Sequence, residues 1–126
     1  MSEDWFVERL DPGQMACFDI LDQAFMSFPG ISKKIRYKIP FYDFKSWLCY
    51  INPLKKGGLE LCFVHGQKLS GFPSILEARN RIMIAGITIM TPQEAGSDLV
   101  LDCFSEAIIL DETLASEKKK QSGFKR

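Results

Sequence analysis

A single histidine, His65, and four cysteines with no two close enough to form a ligand knuckle leave little for soft-metal chemistry. Structural zinc needs two close pairs of Cys or His ligands in tetrahedral reach. Cys17, Cys49, Cys62 and Cys103 each stand beside apolar residues, the setting of a small buried thiol. A Cys62–His65 nucleophile pair is disfavoured on a strand, where positions three apart point to opposite faces. Charge of one sign is also missing. Sixteen Lys and Arg balance 16 Asp and Glu, so the 126-residue chain has no net charge. That balance argues against a nucleic-acid binder driven by electrostatics. No apolar run approaches the ~18–20 residues of a membrane helix. The start, Met1-Ser2-Glu3-Asp4-Trp5, does not have the basic-then-apolar order of a signal peptide. The expectation is a cytoplasmic protein that contacts neither membrane nor nucleic acid. There is no P-loop, no Rossmann glycine pattern, no G-x-S-x-G and no HExxH, so no catalytic residue and no cofactor are assigned.

What the chain does have is ordinary globular material: 46% hydrophobic and 25% charged residues, enough for one domain with a core. Asp11-Pro12-Gly13-Gln14 combines an acceptor cap, a proline at the first helical position and a capping-box glutamine. Met15, Phe18, Leu21, Phe25 and Phe28 then recur three or four apart, which predicts an amphipathic helix over 12–28, stopped by Pro29-Gly30. From Lys34 the period changes to two. Lys34, Arg36 and Lys38 alternate with Ile35, Tyr37 and Ile39, a half-exposed strand that Pro40 should end or place at an edge. Residues 41–46 read as a turn or a continuation. Trp47–Ile51 is a further strand, and Lys55-Lys56-Gly57-Gly58 a mobile hairpin tip. Leu59, Leu61 and Phe63 face one way on a third strand, and Glu60, Cys62 and Val64 the other. Residues 67–78 stay ambiguous, with one helical turn an option from Phe72.

Arg81–Ile89 is β-branched and apolar and predicts a fourth strand, in which Gly86 suggests a bulge or a close backbone approach. Thr91-Pro92-Gln93-Glu94 repeats the helix-start grammar, and Val100, Phe104, Ala107 and Ile108 mark a last helix over 97–114. One domain spans 1–116, and the basic stretch 117–126 is expected to be a disordered tail. Short connections imply antiparallel neighbours. The fold class is α+β: a two-layer sandwich with an antiparallel sheet of four to six strands, covered on one face by N-terminal and C-terminal helices.

Tyr37-Lys38-Ile39-Pro40-Phe41-Tyr42, Trp47-Leu48-Cys49-Tyr50-Ile51, Phe63-x-x-Gly66-x-x-Leu69, Arg79-x-Arg81 and Glu106-Ala107 resemble the YdhG-like domain family over about residues 12–114. The first segment is the most specific. The resemblance implies a small cytoplasmic bacterial α+β domain of unknown function. Some members of that family are labelled frataxin-like intracellular iron chaperones.

Two functional readings follow. Tyr37, Tyr42, Trp47 and Tyr50 lie close in sequence to several cations, and Arg79 and Arg81 stand at the fourth strand. Aromatic rings with a few cations suit an unidentified small molecule or a protein partner. A concave opening is then expected beside Tyr42, Trp47 and Arg81. The alternative is weak iron binding by carboxylates of the first long helix. Asp19 and Asp22 share a face, and Asp11 nearly aligns with Asp22 after three turns. A weak homodimer through an edge strand ending at Pro40 is a further option.

Overall fold

Asp11 starts the first long helix as its sequence dictates. Its side chain accepts from the Gln14 amide at 2.7 Å, and the Gln14 side chain returns a bond to the Asp11 amide at 3.0 Å. The computed structural model describes residues 3–124, in which this helix, α2 (Pro12–Met26), is preceded by a short turn of helix, α1 (Glu3–Val7). The stretch before α2 is thus helical over Glu3–Val7. Phe6 anchors it by meeting Phe18 edge-on at 5.2 Å.

Five strands follow: β1 (Ser32–Arg36), β2 (Ile39–Asp43), β3 (Trp47–Pro53), β4 (Leu59–Phe63) and β5 (Ala85–Ile89). They lie in the order β1-β2-β3-β4-β5, each antiparallel to the next. This meander is the simplest outcome of short connections. After β5 come α3 (Pro92–Ala95) and α4 (Asp98–Phe124). The fold is therefore α+β, a five-stranded antiparallel sheet with its helices on one face. No helix among the described residues is long and apolar enough to cross a membrane.

Several boundaries differ from the sequence expectation for physical reasons. Tyr37 and Lys38 are not strand residues. Both have positive φ, 53° and 68°, and form the two-residue turn between β1 and β2. Two positive-φ residues in a row match the right-handed twist of a hairpin. Pro40 consequently lies inside β2, an internal strand, and the edge is β1. The turn makes Arg36 and Ile39 a hydrogen-bonded pair, so Pro40, opposite Ile35, makes no bond to β1, and on its other side the pairing of β2 with β3 begins only at Phe41, one residue beyond the proline. The exposed edge belongs to β1 and not to the strand that holds Pro40, and β1 presents Lys34, a residue that discourages strand pairing.

Residues 81–84 are loop, and β5 begins only at Ala85. The capping box at Thr91 and Glu94 forms as expected, but Gly96 ends α3 after four residues and α4 restarts beyond it. The last helix also runs past residue 114. Residues 117–124, expected as disordered tail, continue α4, and 125–126 lie outside the described residues. Glu, Lys and Gln are good helix formers, and lysines near a helix C-terminus complement its dipole.

The core lies between sheet and helices. Phe18, Leu21 and Phe25 of α2 and Val100 and Phe104 of α4 are buried against Ile51, Leu59, Leu61 and Phe63. Phe25 and Phe104 stack at 4.0 Å between centroids, which locks the two helices together over the sheet. All four cysteines are buried and free. Gln14 donates to the carbonyls of Leu54 and Gly58 at 3.0 and 2.9 Å, which ties the β3–β4 hairpin tip, expected to be mobile, to the start of α2.

Candidate functional site on the uncovered sheet face

Covering one face leaves the other to be finished by side chains and by the loop that precedes β5. Strand alternation and register decide which ones. Phe41 opposes Tyr50, Tyr50 opposes Cys62, and Cys62 opposes Gly86, so these residues form one row across the open face. Their neighbours Tyr42 and Cys49 point into the helix-covered core.

A groove of about 540 Å³ lies along this row. Phe41 and Tyr50 form its floor, stacked at 4.9 Å with their planes 27° apart. Trp47 and Tyr37 rise on one side. Trp47 meets Phe41 edge-on at 5.3 Å, and Tyr37 lies 6.0 Å from Phe41 and 6.5 Å from Trp47. Val64, Met83 and Ile84 form the other side, with Ile39 and Asn52 completing the lining. Tyr37 is 79% exposed and Trp47 42% exposed, whereas Phe41 is buried beneath them.

Two ion-pair systems hold the walls. Arg36 makes a bidentate pair with Asp43, both contacts 2.7 Å, and its guanidinium sits 4.2 Å from the Trp47 ring centroid. The planar guanidinium, fixed by Asp43, supports the indole from behind. On the far side, Arg81 lies over the sheet. It donates to Glu60 at 2.8 and 3.3 Å, to Cys62 Sγ at 3.4 Å, and to the carbonyls of Ala78 and Glu77 at 2.7 and 3.2 Å. Arg79 adds a contact to Glu60 at 3.6 Å and a bond to Thr88 Oγ1 at 2.8 Å. These bonds fasten residues 77–84 to the open face. Gly86 makes room for this arrangement: a Cβ there would lie 2.6 Å from Glu60 Oε2. The close approach expected at Gly86 is real.

The same contacts set the local proton affinities. Burial opposes ionisation of Glu60, but the bonds and charges of Arg81, with Cys62 and Arg79, outweigh it and hold the carboxyl below its ordinary value. Burial pushes the Tyr50 phenol up to about 12, with Cys62 adding to it. Burial, with the Glu60 charge, likewise raises the Cys62 thiol to about 12, which leaves it an inert thiol at neutral pH.

Of the aromatic residues singled out from sequence, Tyr37, Trp47 and Tyr50 meet in this groove. Tyr42 does not. It is fully buried on the opposite face, where its hydroxyl donates to Asp22 at 2.7 Å. Arg79 and Arg81 stand beside the groove, occupied by Glu60, and do not line it. The opening expected beside Tyr42, Trp47 and Arg81 therefore exists at Trp47 alone. Phe41, Ile39, Asn52, Val64, Met83 and Ile84 were not assigned from sequence. Knowing that Phe41 pairs with Tyr50 would have found the floor, but that register is set by the β2–β3 connection, with its shift between Tyr42 and Asp43.

The carboxylates of α2 are not brought together as a ligand set. Asp11 is the helix cap, Asp22 accepts from Tyr42 and from Lys33 at 2.8 Å, and Asp19 is exposed. No group of three or more His, Cys, Asp or Glu that could hold a metal ion forms among the described residues.

Fold and groove together define a class: an α+β meander with helices on one face and an aromatic groove on the other. Comparison with protein-family models, with curated proteins and with solved structures finds no match for this chain.

Proposed function

We propose that this chain is a non-enzymatic binding domain whose groove takes a small, planar, largely apolar ligand. The observation that carries the reading is the aromatic floor and wall on the uncovered sheet face, in a volume typical of small-molecule sites. Aromatic side chains offer flat surface for stacking, while Asn52 and the Tyr37 and Tyr50 hydroxyls supply a few orienting hydrogen bonds. Arg36 is already neutralised by Asp43, so the groove has no strong preference for a charged ligand. Its lining among the described residues carries no carboxylate, imidazole or thiol to act as base or nucleophile. Tyr50, with its raised proton affinity, stays a neutral hydrogen-bonding group at physiological pH. The YdhG-like resemblance belongs to the same reading, supported by the Tyr37–Tyr42 segment, and a cytoplasmic location goes with that resemblance.

The test is a screen of uncharged planar aromatic compounds followed by proton–nitrogen NMR. Binding should shift the Trp47 indole and the amides of Tyr37, Tyr50 and Met83, and Trp47→Ala should remove it. Hits that shift other regions, or that survive Trp47→Ala, would refute the assignment.

A further inference from the structure

We propose a second site, for a phosphate group, at the end of the sheet where the β2–β3 turn and the end of β4 meet α4. It does not rest on the groove. A pocket of about 490 Å³ opens there, and three lysines converge on it from three separate elements. Lys45 comes from the β2–β3 turn, Lys68 from the 3-10 turn Gly66–Lys68 after β4, and Lys118 from α4. None of the three has a salt-bridge partner among the described residues. His65 lines the same pocket and also a second, much smaller cavity; its Nδ1 is closed to solvent and offers no contact to a ligand in the open pocket.

The carboxylate at the pocket's inner end is already engaged. Asp111 of α4 is buried. Its Oδ2 accepts from the Lys45 and Ser46 amides at 2.7 and 3.0 Å, and its Oδ1 accepts from the Ser46 hydroxyl. Asp111 thereby fixes the turn that carries Lys45, and its oxygens are spent on that turn. Glu117 is the other carboxylate in the lining and has no bonded partner among the described residues. Several ammonium groups disposed around one space suit an anion with several acceptor oxygens, and lysine serves phosphate as a point charge. The pocket is a corner and not a stripe, with Glu112 and Glu117 exposed along α4. A compact phosphate fits that distribution better than an extended polyanion, which the two glutamates would repel.

The experiment is a titration of the full chain with inorganic phosphate at constant ionic strength, followed by backbone amide NMR. Sodium chloride and sodium acetate serve as controls. Saturable shifts are expected at 45–46, 65–68 and 114–118. Lys45→Gln with Lys68→Gln should weaken binding at least tenfold, and Glu117→Gln should tighten it, opposite signs that a general loss of folding cannot produce. Shifts that do not saturate, that chloride or acetate reproduces equally, or that ignore these substitutions would overturn the site.

Discussion

Phe41 and Tyr42 are neighbours on β2 and face opposite sides of one sheet, and the two sides meet different partners. Tyr42 enters a closed layer. Phe25 packs edge-on against its ring at 5.2 Å, and Asp22 accepts a hydrogen bond from its hydroxyl while also binding Lys33. Burial, with the Asp22 charge, makes that phenol very hard to ionise. Phe41 lies on a side with no helix over it. Rings, one stacked guanidinium and the fastened 77–84 segment cover it only in part. The helix-covered face thus carries the stability and the open face keeps apolar surface available to a ligand.

The comparison can be broken in order of effect. Phe104→Ala removes the ring stacked on Phe25 and should cost about 3–5 kcal/mol in urea unfolding, as for other buried phenylalanines. An open-face aromatic change of similar cost would erase the distinction. Arg81→Ala leaves Glu60 buried with only the longer Arg79 contact and should cost about 3 kcal/mol at neutral pH. Glu60 has a lowered folded-state pKa, so its contribution is present above the unfolded value of about 4.3 and is lost as pH falls through the folded value. The gap between wild type and Arg81→Ala should therefore narrow below about pH 4. An unchanged gap there would mean that Arg81 acts through packing. Tyr42→Phe removes a donor from Asp22 and should cost about 1–2 kcal/mol. Trp47→Ala, on the open side, should cost less than about 1 kcal/mol, in the range of surface changes, while abolishing ligand binding. A larger loss of stability from Trp47→Ala would make the aromatic row structural.

Local chemistry was readable where one residue suffices to specify it. The Asp11–Gln14 and Thr91–Glu94 boxes, the α2 stripe and the tight approach at Gly86 all follow from side-chain type and spacing. Features set by distant partners were not. Tyr37 and Lys38 continue an alternating pattern and include neither Gly nor Asn, so nothing local marks the turn. Ile82 and Ile84 imitate a strand, but the bonds of Arg81 to Glu60, Ala78 and Glu77 hold that stretch as loop. Tyr42 and Tyr50 carry the same side chain, and only the register, with the shift between Tyr42 and Asp43, sends one to the core and the other to the groove.

The turn at Tyr37 and Lys38 has a consequence for anyone who would redesign this chain. Non-glycine residues at positive φ each carry a conformational penalty of about 1 kcal/mol, and Asn-Gly is the sequence that relieves it. Tyr37→Asn with Lys38→Gly should raise the melting temperature. It should also remove the most exposed ring from the edge of the groove. A stabilisation guided by turn preferences would select that exchange, and a screen for melting temperature alone would record as an improvement the loss of half a binding wall.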